Sequence, residues 1–109
     1  MATLNIEAAG VALVIGGSRG IGAAIARRLA QDGYDIVLTY VSRPDKAEQV
    51  VAEIEAIGSR ALAIAADSSD ALALRQAVAA AAEFGRLSVV VINAGLYRPS
   101  PIDVFDPET

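Results

Sequence analysis

The chain has 109 residues, 54% of them hydrophobic and 20% charged, with a formal net charge of −4 and no cysteine. That length suits one modest domain, able to bury roughly two thirds of its unfolded surface. The acidic balance, with no basic stripe, argues against nucleic acid and anionic membranes as partners, and the lack of cysteine excludes disulfides and thiolate chemistry.

The first ten residues, MATLNIEAAG, have neither a basic start nor a long apolar run, so no signal peptide is expected. No stretch approaches the run of about 18 apolar residues that spans a membrane, and the expected location is cytoplasmic. A β-branched apolar run then predicts a first strand over Val11–Ile15. Four glycines follow at 16, 17, 20 and 22. A first helix is expected beyond them, with Ile21, Ala24, Ile25 and Leu29 on its apolar face and Gly33 after its end. A second strand is expected over Ile36–Tyr40. Pro44 suits the first turn of a second helix preceded by Ser42 or Arg43. Ala47, Val50, Val51, Ile54 and Ile57 share that helix's inner face, and Gly58 stands where a C′ glycine would. The third strand is predicted at Ala61–Ala65. A third helix follows, started by Ser69-Asp70, carrying Leu74, Ala77, Val78 and Ala81 inward, and ended by Gly85. The fourth strand is predicted over Val89–Ile92, apolar on both faces. Beyond residue 94 the sequence becomes irregular, and Asp106-Pro107-Glu108-Thr109 reads as the start of another helix.

Strict alternation of short apolar strands with amphipathic helices predicts an α/β fold, a parallel sheet covered on both faces. Right-handed crossovers narrow the topology to strand order 3-2-1-4, the first half of a doubly wound, Rossmann-type sheet. In such a sheet ligands bind beyond the carboxyl ends of the strands, where the strand order reverses. The glycines sit there. A helix N-terminus at that point offers unpaired N–H groups and a positive dipole end to an anion such as a pyrophosphate. The triphosphate-binding loop needs Lys and Ser/Thr after its last glycine, whereas Ala23 and Ala24 follow Gly22. The common dinucleotide fingerprint also fits poorly, because Ile25 occupies its last glycine position. The spacing present is Gly16-xxx-Gly20-x-Gly22, whose plainer reading is a tight strand–helix turn.

Three stretches in order, VIGGSRGIG, AADSSD and VINAG, resemble the N-terminal half of a short-chain dehydrogenase/reductase, closest to the 3-oxoacyl-(acyl-carrier-protein) reductase-like branch. The likeness covers residues 9–109. One position departs: the family usually has a structural Thr where this chain has Ile15. The resemblance implies a cofactor site. Gly16, Ser18, Arg19, Gly20 and Ile21 would line the pyrophosphate and riboses. Asp67, with Ser68 beside it, would contact adenine. Asn93, Ala94 and Gly95 would support the sheet and border the ribose. Asp67 could alternatively cap the third helix, in competition with Ser69-Asp70, and Asn93 could be a plain turn residue.

NAD-specific sites place an acidic side chain at the end of the second strand. Tyr40 stands there, and the next carboxylate is Asp45, already in the helix. Arg19 and Arg43 could flank a 2′-phosphate, with Ser42 donating to it, so NADP(H) is favoured over NAD(H). The family's catalytic Tyr-xxx-Lys pair is absent. Positions four beyond Tyr34, Tyr40 and Tyr97 are Leu38, Pro44 and Pro101, and Lys46 is the one lysine. No residue of this chain is therefore assigned a catalytic role. With no His or Cys, neither a nucleophilic triad nor an ordinary zinc site is expected. The resemblance implies an NADP-dependent carbonyl reductase or alcohol dehydrogenase that acts on a small molecule by hydride transfer and assembles as a homo-oligomer, with this chain as its cofactor-binding half, broken off at a helix start. The alternative is a non-catalytic dinucleotide-binding or interaction module.

Overall fold

The computed structural model describes residues 9–18 and 20–93. Its elements are β1 (Val11–Ile15), α1 (Gly20–Gln31), β2 (Asp35–Tyr40), α2 (Pro44–Ile57), β3 (Ala61–Ala65), α3 (Ala71–Phe84) and β4 (Leu87–Ile92). The four strands form one parallel sheet in the order β3-β2-β1-β4, as expected. The register is regular from Val11 opposite Asp35 to Val14 opposite Leu38. Between β1 and β4 it shifts once, between Val11 and Ala12.

Alternation along the strands divides the core into two layers. On one face Ala12, Val14, Ile36 and Leu38 pack against Ala23, Ala26 and Ala30 of α1 and Ala47, Val50 and Ile54 of α2. On the other, Val11, Leu13, Ile15 and Val37 pack against Ala81, Leu74 and Phe84 of α3. β1 is buried throughout, and β2 is buried except at its two end residues. The outer strands differ from the expectation of cover on both faces: Leu62, Val90 and Ile92 are exposed. Among the described residues only α3 lies on that side of the sheet, and one helix is too narrow to cover four strands.

All three helix faces also differ in part from the sequence reading; in α2 it is Ile57, expected inward, that is exposed. α1 buries Gly22, Ala23, Ala26 and Ala30, while Ile21 is 70% exposed and Ala24 is exposed. The smallest residues face the sheet because they allow the closest approach of the helix. In α3, Ala77 and Ala81 are buried and Val78 is 40% exposed. Gly33 and Gly58 have φ values of +101° and +113° and end their helices in the left-handed region. Gly85 does not. Its backbone is extended, and a Cβ there would lie 2.8 Å from Val11 Cγ2, so the position needs smallness and not left-handed freedom. The expected helix start at Asp106-Pro107 lies outside the described residues.

Candidate functional site: the glycine turn at the strand ends

β1 ends at Ile15, between β2 and β4, and the chain must reverse there into α1. Gly16 does so with φ +84° and Gly20 with φ +60°, both costly for residues with a Cβ. Gly16 is held on both sides, through the two peptide units that flank its Cα. Its N–H donates to Thr39 Oγ1 at 2.9 Å, and its C=O accepts from Asn93 Nδ2 at 3.4 Å. The neighbouring Gly17 N–H donates to the Thr39 carbonyl at 3.1 Å, and the Asn93 N–H donates to the Ile15 carbonyl at 2.8 Å. Thr39, on β2, is itself buried.

The remaining glycines set the clearances. A Cβ on Gly22 would collide with the Gly16 carbonyl oxygen and come within 2.7 Å of Asn93 Nδ2. On Gly17 it would lie 2.9 Å from Leu38 Cβ. On Gly20 it would meet nothing within 4 Å. Gly22 and Gly17 thus let α1 and the turn pack down on the strand ends, while Gly20 keeps the space in front of the helix N-terminus open. The first turn of α1 carries no acidic residue, so its dipole end is left to attract an anion. Both features fit a pyrophosphate. Because the amides of Gly16 and Gly17 are already committed, backbone donors for that anion would come from later in the turn. Ser18 is half-buried within it, and Ile21 presents an exposed apolar side chain at the helix start. Arg19, Ala94 and Gly95 lie outside the described residues.

The ends of β2 and β3 supply the other expected positions. Tyr40, last in β2, packs against the core layer formed by α1 and α2. Ser42 and Arg43 are exposed in the connection to α2. The Arg43 guanidinium clamps Asp45 with two bonds, Nε to Oδ1 at 3.0 Å and Nη2 to Oδ2 at 2.8 Å. The hydrogen bonds from Arg43 hold the Asp45 carboxyl down at about 2, and Asp45 in turn raises the guanidinium. Asp45, set aside in the sequence as already helical, therefore reaches back to Arg43 in the connection that follows β2. Beyond β3, Asp67 does not cap α3. Asp70 does, accepting from Leu72 and Ala73 N–H at 3.0 and 3.2 Å. Asp67 Oδ1 instead accepts from the backbone N–H and the hydroxyl of Ser69, both at 2.9 Å, which lowers its pKa. Ser68 is half-buried beside it.

These strand ends gather the Gly16–Gly22 turn, Thr39, Asn93 and the Tyr40–Arg43 corner around one edge of the sheet. The short chain dehydrogenase family model matches residues 10–109. The chain belongs to the short-chain dehydrogenase/reductase family. An uncharacterised oxidoreductase of Methylorubrum extorquens is 48% identical over 94 residues, covering 85% of this chain and 38% of that protein. The 3-oxoacyl-(acyl-carrier-protein) reductase of Staphylococcus aureus is 44% identical over 88 residues, covering 80% and 36%. The L-rhamnose 1-dehydrogenase (NAD(P)+) of a Sphingomonas species is 41% identical over 100 residues, covering 86% and 39%. Among solved structures, a Serratia marcescens short-chain dehydrogenase/reductase mutant superposes with a TM-score of 0.77 at 52% identity, covering 81% of this chain and 36% of that one. A Burkholderia cenocepacia short chain dehydrogenase in complex with NADP gives 0.68 at 58% identity, covering 70% and 31%. This short-chain dehydrogenase/reductase chain spans a little over a third of the length of the curated relatives it matches.

A hollow of about 340 Å³ opens at the other end of the sheet, beside Gly10, Gly33, Asp35, Arg60 and Gly85. Its Arg60 is engaged by Asp35 Oδ2 at 3.0 Å and the Phe84 carbonyl at 2.6 Å, and lies 4.2 Å over the Phe84 ring. It is far from the glycine turn and shares none of its residues. Among the described residues no group of three or more metal-ligating side chains occurs, and no helix is long and apolar enough to cross a membrane.

Proposed function

We propose that this chain is the single cofactor-binding domain of an NADP-dependent short-chain oxidoreductase that interconverts a small-molecule carbonyl and alcohol. The observation that carries the reading is the glycine turn: Gly16, bonded to Thr39 of β2 and to Asn93 after β4, leads into an open, acid-free helix start. When bound, the nicotinamide supplies hydride-transfer chemistry. This chain's own residues do the holding. The turn and the N-terminus of α1 receive the pyrophosphate, Ile21 offers an apolar surface beside it, Asp67 and Ser68 border the adenine, and Asn93 braces the turn. The cytoplasm and a homo-oligomeric assembly belong to the same reading.

NADP(H) is favoured because the β2 corner carries Arg43 and Ser42 and ends in Tyr40 where an NAD-selecting carboxylate would stand. The Arg43–Asp45 pair is exposed, with half of the Arg43 side chain open to solvent. Such pairs hold weakly, so a dianionic 2′-phosphate can displace Asp45 from the guanidinium. One observation favours a second reading: Asp45 lies within 2.8 Å of Arg43, which sets a carboxylate at the corner where a ribose 2′-OH would be accepted, as NAD selection requires. Titration calorimetry of the chain with NADPH and NADH separates the two. NADPH is expected to bind more tightly, and Arg43→Ala to weaken NADPH selectively. Asp45→Asn is expected to strengthen NADPH. Tighter NADH binding, lost on Asp45→Asn, would replace the NADP reading with the second.

Turnover by residues 1–109 alone is not expected, since they contain no Tyr-xxx-Lys proton donor and partner. On its own the chain would behave as a dinucleotide-binding module. NADPH oxidation with a panel of ketones, using protein free of host reductases, tests this, and sustained turnover would refute it.

A further inference from the structure

We propose that Thr39 is the positioning residue of the dinucleotide turn, aiming the glycine turn from the neighbouring strand β2. Thr39 is the single polar residue among the described buried ones, 1% exposed and following the apolar run Ile36–Leu38 in β2. A buried hydroxyl in such a place persists where it has a partner, and its partner is the Gly16 N–H at 2.9 Å. Its own carbonyl takes the next amide, Gly17 N–H, at 3.1 Å. One residue of β2 thus fixes two successive amides of a turn that belongs to β1 and α1. The residue preceding the turn, Ile15, has no side-chain hydrogen-bonding group to do so.

Two consequences follow for the ligand. The Gly16 and Gly17 amides are spent inside the protein, so they serve geometry and do not donate to phosphate. The turn is also joined rigidly to the strand that runs directly into Tyr40, Ser42 and Arg43. Thr39 therefore sets the spacing between the pyrophosphate seat and the ribose-reading corner. Its ligand rests on the dinucleotide reading above; its hydrogen bonds do not.

The test uses Thr39→Val, which keeps the shape and removes the acceptor, and Thr39→Ser, which keeps the hydroxyl. NADPH is titrated beside adenosine 2′-monophosphate, a probe with adenine, ribose and 2′-phosphate but no pyrophosphate. Thr39→Val is expected to weaken NADPH on the order of tenfold, to leave adenosine 2′-monophosphate within about twofold, and to be rescued by Thr39→Ser. Amide hydrogen exchange gives a ligand-free readout. The Gly16 amide should exchange on the order of tenfold or more faster in Thr39→Val, with β1 amides unchanged. Equal weakening of both ligands, no rescue by Ser, or an unchanged Gly16 amide overturns the proposal. If the wild-type chain binds no dinucleotide, the functional reading falls and the exchange arm still decides the role of Thr39. If Thr39→Val does not fold, wild-type exchange decides: Gly16 protection matching β1 supports the role, and open-loop exchange overturns it.

Discussion

Gly22→Ala is the substitution on which helix propensity and site geometry disagree most sharply. Gly22 lies in the first turn of α1, and replacing an interior helical glycine by alanine ordinarily stabilises by about 0.8–1 kcal/mol. Here the added methyl would strike the Gly16 carbonyl oxygen and sit 2.7 Å from Asn93 Nδ2. Its nearest obstacle is backbone and cannot rotate away. Either α1 lifts from the sheet or the Gly16 peptide turns. Overpacking of that kind costs about 1–3 kcal/mol, and losing the Asn93–Gly16 hydrogen bond adds about 0.5–1.5 kcal/mol. The net is a destabilisation of about 0.5–3.5 kcal/mol, or a fall in Tm of roughly 2–28 °C for a domain of this size. Urea and thermal unfolding followed by circular dichroism measure it. Combined with Asn93→Ala, the two losses should sum to less than their separate values, because both remove one contact. A Gly22→Ala chain as stable as the wild type would refute the reasoning, since propensity alone would then govern the position.

Asp70→Ala should destabilise by about 1 kcal/mol, the usual worth of an N-cap, whereas Asp67→Ala should cost α3 less and instead weaken dinucleotide binding; unfolding curves and NADPH titrations of both variants separate the roles. Asp45 has a folded-state pKa of about 2, below its ordinary value near 3.8, so its contribution to stability is complete above that value and disappears as pH falls through about 2. Carboxyl-carbon NMR should show that midpoint, and Arg43→Ala should return Asp45 to the ordinary carboxylate range.

The sheet was legible because each strand is a short apolar run separated from the next by a helical repeat, and the right-handed crossover leaves few orders to choose among. The faces of α1 and α3 were less legible. Periodicity favours the largest apolar residues, and in α1 the sheet takes the smallest, leaving Ile21 in the open. The glycine turn was visible as spacing and Asn93 was named as a support, but its other anchor, Thr39, was not. Thr39 reads as an ordinary β-branched strand residue, and its partner Gly16 lies 23 positions away. Asp45 reads as a first-turn helix acid, and only the folded backbone brings it onto Arg43. The cap of α3 was an open choice because Asp67 and Asp70 both suit the role chemically; backbone geometry chose Asp70, whose φ and ψ of −104° and 105° suit a cap.

The bond between Asn93 and the Gly16 carbonyl spans 77 positions of sequence. Every strand pairing in the sheet is parallel and crosses a helix, but the β1–β4 pairing closes the longest loop, and closures of that length come slowly. On a ribosome adding about 5–20 residues per second, Asn93 is joined to the chain roughly 4–15 s after Gly16. Thr39, 23 positions after Gly16, is added well within that interval, and from then on the turn has its β2 anchor synthesised and its β4 anchor not yet made. A nascent chain can thus shape the glycine turn first from the β2 side and lock it later from the β4 side.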